Sequence, residues 1–299
     1  MRKRKNGVEH MKVKKAVIPA AGLGTRMLPA TKAVPKEMLP IVDKPAIQYV
    51  IEEAVESGIE DILVITNRSK SAMEDYFDYA PELESSLSRS GKTNEFEIVR
   101  QVADMANICF IRQRETNGLG HAVGRAKSFV GNEPFAVLLP DDIMVSNIPV
   151  TKQLIDAAEK YGASAVGVQR VSPEAISKYC SLEVTPIQDG IYKVTDMVEK
   201  PTPQEVFSDF AILGRYVLTS DIFSLIEKTA PGFGGEIQLT DALRALCQSS
   251  DMVAVDFEGK RYDMGNLPGY IEATIDFALS HPAVSDWLKS HLADIVKTL

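Results

Sequence analysis

Apolar positions along the chain follow two rhythms. Short unbroken apolar runs at 16–18, 61–66, 108–112, 134–139 and 163–170 are too short and too β-branched for good helices. They predict buried strands, covered on both faces. Between them, apolar residues recur at helical spacing. Ile47, Val50, Ile51, Ala54 and Val55 predict a helix over 45–57, stopped by Gly58. Further helices are expected near 69–76, 81–88, 120–129 and 151–161. Strand and helix in alternation imply an α/β fold with a mostly parallel sheet flanked by helices. Beyond residue 170 the texture changes. Extended runs at 181–185, 191–198 and 211–218 alternate with turns, with one helical pattern at 173–178, which reads as a smaller antiparallel part. A helix ending near 247, a strand at 253–257, a helix at 267–279 and an amphipathic helix over 282–299 complete the chain.

In such sheets ligands bind outside the carboxyl ends of strands. The first strand ends in Ala20, Ala21, Gly22 and Gly24, small residues whose backbone can approach a ligand and point N–H groups at phosphate oxygens. Arg26, Lys32 and Lys36 place positive charge on the same loop, and Pro19, Pro29, Pro35, Pro40 and Pro45 stiffen it against helix. The spacing fits neither common phosphate motif. Met27 stands where a dinucleotide fingerprint needs a third glycine, and the Gly-Lys-Ser/Thr of a P-loop is missing. A second glycine loop, Gln113 to Gly120, follows the third strand. Asp141 and Asp142 end an apolar strand, where two carboxylates are costly to bury without a cation or donors. Hard oxygen ligands in that position suit Mg²⁺, although a helix cap would also use them.

Taken together, Gly22-x-Gly24-Thr25-Arg26 followed by Pro35-Lys36-Glu37-Met38-Leu39-Pro40 resembles the signature of the sugar-1-phosphate nucleotidyltransferases. Within them it is similar to the bacterial branch that uses UTP and glucose 1-phosphate. The likeness runs from about Met11 to the last helix. It implies a Rossmann-like α/β domain over 11–299, with a nucleotide-binding part near 11–150, an antiparallel sugar-binding part near 163–266 and C-terminal helices over 267–299. It further implies that Ala20, Ala21, Gly22, Gly24, Thr25, Arg26, Lys36 and Glu37 hold the nucleotide, while Gln113 and the Gly118 backbone read its base. Cys180, Glu199, Lys200 and Gly214 would face the sugar, Asp141 and Asp263 would bind Mg²⁺, and Arg26, Lys36 and Lys200 would carry the chemistry. Relatives usually have glycine at Cys180, where the backbone nears the hexose, and often lysine at Asn117. The implied reaction is uridylyl transfer to glucose 1-phosphate. Alternatives are a relative using dTTP or another hexose 1-phosphate, and a sensor that binds nucleotide-sugar without turnover.

Bulk properties narrow the field. Of 299 residues, 45% are hydrophobic and 25% charged, as in an ordinary globular protein. No apolar run approaches the ~20 residues of a membrane helix. Net charge is -8, and residues 1–15 hold seven Lys or Arg against one Glu. The remainder is 26 basic against 40 acidic residues, or -14, which argues against general nucleic-acid binding. Residues 1–10 read as a disordered tail ahead of a second start at Met11. Cys109, Cys180 and Cys247 are odd in number and far apart, which suits buried thiols in a reducing cytoplasm rather than disulfides. The resemblance adds a homodimer or homotetramer.

Overall fold

The computed structural model describes residues 11–298, so the tail expected at 1–10 lies outside the described residues. Nine strands form one sheet: β1 Lys15–Pro19, β2 Asp61–Thr66, β3 Asn107–Arg112, β4 Phe135–Leu138, β5 Ser164–Arg170, β6 Cys180–Gln188, β7 Ile191–Glu199, β8 Phe210–Leu218 and β9 Met252–Asp256. Their order across the sheet is β3-β2-β1-β4-β8-β5-β9-β7-β6. β3, β2, β1 and β4 run parallel, as do β5 and β9. β8 enters the middle of the sheet between β4 and β5 and runs against both. β7 runs against both β9 and β6. Seven of the nine strands therefore point the same way, and β8 and β7 point against them, so the sheet is mixed.

Both faces are covered. In β1, Ala16 and Ile18 pack into one core with Ile47, Val50 and Ile51 of the helix Ala46–Glu56. Val17 points the other way, into a second core with Ile65, Val123 and Phe135. This alternation is the period-two geometry of a strand. Each of the larger of these side chains, fully buried, contributes roughly 1.5–3 kcal/mol. Gly58, with φ +89°, ends the helix where expected. At the sheet's edge, β3 alternates between exposed and half-buried residues, and Cys109 is exposed rather than buried.

Two elements were not apparent from periodicity. The helix Thr93–Ala103 fully buries only Val102, so its apolar stripe is faint. Asp142–Val145 and Lys260–Asp263 form a separate two-stranded ribbon that sets Asp263 opposite Asp142. The expected helix over 120–129 is two pieces, Leu119–Gly124 and Lys127–Val130, broken just after a glycine. The pattern at 173–178 is one short 3₁₀ turn, Ile176–Lys178. The last helix, Ser285–Val296, packs beside Leu267–Ser280 and fully buries none of its residues.

Candidate functional site

At the carboxyl end of β1 the chain stays in the sheet for one more residue, with the Ala20 N–H donating to the Ile65 carbonyl at 2.8 Å. The loop that follows is compact. Three 3₁₀ turns, Thr25–Met27, Ala30–Lys32 and Lys36–Met38, alternate with its prolines. Gly24 sits at φ +67°, and a Cβ there would come within 3.3 Å of both Thr31 and Lys36. The Thr31 hydroxyl donates to the Gly24 carbonyl at 2.8 Å, closing the loop on itself.

This folding brings Lys36 to Asp141, with Nζ 2.6 Å from Oδ2. Burial works to lower the lysine pKa, but attraction to Asp141 and Glu37 outweighs it and the pKa rises. For Asp141, burial pushes upward, yet Lys36 and then Arg26 bring the carboxyl below its ordinary value. Around the pair lies a cavity of about 340 Å³, lined in part by Ala21, Gly22, Arg26, Glu37, Gln113 and Gly118. A smaller cavity of about 180 Å³ adjoins it at Gly24, Thr25 and Gly265.

Asp263 arrives by the ribbon and by a 2.8 Å hydrogen bond from the Met264 N–H to the Asp141 carbonyl. A Cβ built on Gly265 would lie 2.9 Å from Asp263 Oδ1, 3.2 Å from Asp141 Oδ2 and 3.7 Å from Arg26 Cζ. Two carboxylates and a guanidinium thus face one small hollow over a residue without a side chain. Among the described residues no group of three or more His, Cys, Asp or Glu is arranged to hold a metal. Two protein oxygens of this kind would need substrate oxygens to complete a shell.

Not every expected contact residue reaches the cavity. Ala20 is buried beneath it, and its carbonyl accepts from Lys70 Nζ at 2.6 Å. Glu37 lines the cavity, but both carboxylate oxygens accept from Lys70, at 2.8 and 2.7 Å. Burial pushes Glu37 up and Lys70 down, each opposed by the other. Cys180, Glu199, Lys200 and Gly214 lie off the lining, on the antiparallel side. Cys180 and Glu199 are register partners in β6 and β7. Burial raises the Cys180 thiol well above its usual value. Glu199 accepts from the Thr240 hydroxyl at 2.7 Å. Lys200 is exposed, with φ +46°. Gly214 is buried at φ +67°, where a Cβ would fall 2.1 Å from Asp142 Oδ2, so this glycine makes room for Asp142.

Several partnerships escaped the sequence reading. Asp142 is held by Arg261, Nε to Oδ1 at 2.6 Å, and Arg261 also donates to the Tyr179 hydroxyl at 3.1 Å. Burial, and then the charge of Asp141, push Asp142 up to about 6 against the pull of Arg261. Arg215 is wholly buried. Its Nε and Nη2 donate to Glu53, and its other bonds reach the carbonyls of Leu139, Gly214 and Asp142. It therefore ties the aspartate loop to the helix Ala46–Glu56. An arginine inside the apolar run 210–218 was the available signal. His121 makes another. Its Nδ1 lies 2.8 Å from Gln113 Nε2, which also donates to the Gly118 carbonyl at 3.4 Å.

Comparison with known proteins places this geometry. The family model for nucleotidyl transferases matches residues 15–279. The chain belongs to the nucleotidyl transferase family. It is 55% identical over 286 residues to UTP–glucose-1-phosphate uridylyltransferase YngB of Bacillus subtilis, covering 96% of each chain. A second B. subtilis UTP–glucose-1-phosphate uridylyltransferase is 53% identical over 277 residues, covering 93% of this chain and 95% of the relative. Among solved structures, a UDP-glucose pyrophosphorylase complexed with UDP-glucose superposes with TM-score 0.83 at 43% identity, covering 90% of this chain and 100% of that one. A UTP-bound UGPase from Acinetobacter baumannii superposes with TM-score 0.87 at 37% identity, covering 94% and 99%. The resemblance carried by Gly22 to Pro40 is thereby borne out over almost the whole chain.

Proposed function

We propose that the chain transfers a uridylyl group from UTP to glucose 1-phosphate, giving UDP-glucose and pyrophosphate. The observation that carries this reading is the meeting of Arg26, Lys36 and Asp141 with Gln113 and Gly118 in one cavity beyond β1. The names of the relatives support the substrates. In this reading the parallel strands β3-β2-β1-β4 form a Rossmann-like nucleotide half, and the antiparallel strands beyond them carry the sugar.

An oxygen of glucose 1-phosphate attacks the α-phosphorus in line, its bond to phosphorus forms, and the bond to the leaving pyrophosphate breaks. The nucleophile is already ionised at neutral pH, so no general base is required. Catalysis rests on position and charge. Arg26 neutralises the departing β- and γ-phosphates, Lys36 the α-phosphate and Lys200 the incoming sugar phosphate. Asp141 and Asp263, facing one hollow, suit Mg²⁺, which would screen the repulsion between the two phosphates when bound. Lys36 then gives up Asp141 for the α-phosphate.

Base choice follows from Gln113. A carbonyl cannot donate, so Gly118 fixes the amide nitrogen on its own side, and His121 Nδ1 takes the second hydrogen. That leaves Oε1 as an acceptor, with the Gly118 N–H as the proposed donor of the pair. Uracil offers the complementary N3–H and carbonyl, whereas cytosine offers the reverse. Cys180 adds bulk near the sugar and bears on hexose preference.

Free cysteines fit a reducing cytoplasm, and no helix among the described residues is long and apolar enough to cross a membrane. Assembly as a homodimer or homotetramer belongs to the same reading. The test is a panel of nucleoside triphosphates and hexose 1-phosphates with pyrophosphate detection, run with and without Mg²⁺. UTP with glucose 1-phosphate should give the highest kcat/KM, and only with the metal. Nucleotide-sugar binding without pyrophosphate release would reduce the protein to a sensor.

A further inference from the structure

Eleven arginines lie among the described residues. Six of them, Arg89, Arg100, Arg170, Arg215, Arg244 and Arg261, donate to a carboxylate or a carbonyl. Arg26 has no hydrogen-bond or salt-bridge partner among the described residues, and it sits in the phosphate cavity. The remaining four, Arg68, Arg112, Arg114 and Arg125, also have none, and all four line a single cleft of about 1020 Å³. Outside residues 1–15 the chain carries 40 acidic residues, yet Glu115 is the only acid on this cleft. Four guanidinium groups gathered around a single carboxylate repel one another, and the planar fork of each matches phosphate oxygens in pairs. The same condition marks Arg26, whose expected partner is a phosphate chain.

The cleft is a neighbour of the catalytic cavity, not part of it. The two share Gln113 and Thr116. Along this extended segment Arg112 and Arg114 are exposed while Gln113 is buried, so the segment turns cations to the cleft and its amide to the cavity. Leu23 and Ile111 give the cleft an apolar lining as well. The acidic body around it disfavours a long polyanion.

We propose that this cleft binds a small organic polyphosphate, with two or more phosphate groups, at a site separate from the catalytic cavity and coupled to it through Gln113. The test is calorimetric titration of the full chain with inorganic tripolyphosphate. Wild type should show two binding events. Arg26→Ala should remove the one that belongs to the proposed catalytic cavity. Arg112→Ala with Arg114→Ala should weaken the other by about tenfold or more. Arg68→Ala with Arg125→Ala, drawn from different segments, should do the same, so a folding defect in one pair cannot mimic the result. Occupancy should shift the KM for UTP in wild type but not in either double variant. A single event, lost in Arg26→Ala and untouched in both double variants, overturns the proposal. So does a short oligonucleotide that binds the cleft more tightly than tripolyphosphate.

Discussion

Gln113 Nε2 lies 2.8 Å from His121 Nδ1, so a ring nitrogen eight residues away helps hold the amide proposed to read the base. His121→Phe removes that acceptor and frees the amide to turn. The KM for UTP should rise about tenfold, the worth of one hydrogen bond, and the preference for UTP over CTP should narrow. Asn at 121, whose amide oxygen can take the place of Nδ1, should restore both. Steady-state kinetics with the two nucleotides measure this. Full discrimination in His121→Phe would show that the histidine only packs.

Lys36→Met removes the cation from Asp141 and from the α-phosphate together. Turnover should fall by about a hundredfold or more, as when a charge-stabilising donor is lost. Stability should fall by only about 1–3 kcal/mol, because the pair is partly exposed. Rapid-quench rates beside denaturation curves separate the two effects, and wild-type turnover in the folded variant would remove Lys36 from the mechanism.

Arg215→Met leaves Glu53 buried without its partner and frees the carbonyls of Leu139 and Asp142. The expected cost is about 3–5 kcal/mol. Adding Glu53→Met should recover much of the stability. Activity should stay low in the double variant, since the aspartate loop remains untied. Urea denaturation and kcat, compared across the three variants, decide whether the arginine serves the fold alone.

Burial carries the Asp142 carboxyl from 3.8 to about 6. Between those values the folded chain binds a proton that the unfolded chain has lost. Its contribution to stability is therefore greatest at acid pH and declines as pH rises through that window. At about 1.4 kcal/mol per unit, the decline amounts to about 3 kcal/mol. Denaturation in chelator at pH steps across the window should show a slope that Asp142→Asn lacks. An identical slope in the variant would assign the effect elsewhere.

Gly265→Ala should set a methyl group between Asp141 and Asp263. The Mg²⁺ concentration for half-maximal rate should rise severalfold, with the unfolding midpoint little changed. Metal titrations of the rate test this, and an unchanged requirement would separate the hollow from the metal.

The strands of the parallel half were legible because each is a short apolar run, and 61–66 falls on β2 residue for residue. Lys36 and Asp141 stood out through the resemblance, Lys36 in the Pro35-Lys36 motif and Asp141 in a carboxylate doublet that ends an apolar strand. Partnership was not legible. Glu53 and Arg215 are 162 positions apart, and Glu37 and Lys70 are 33. A linear pattern shows a charge in an apolar setting, but not which distant charge answers it. The closeness of Gly214 to Asp142 was hidden for a related reason. A sequence does not distinguish a glycine that lets a ligand approach from one that lets Asp142 approach. The faint helix Thr93–Ala103 failed on periodicity alone, since a helix with one fully buried residue has almost no stripe to read.

With Lys36 resting on Asp141, the protein supplies that carboxylate with a counterion of its own. If Asp141 takes a divalent ion as proposed, an ion arriving alone would have to displace the Lys36 ammonium. An ion arriving with a triphosphate brings the lysine a new anion in the same step. On the proposed reading, the site would work as an interlock that admits a metal–nucleotide pair more readily than the free ion.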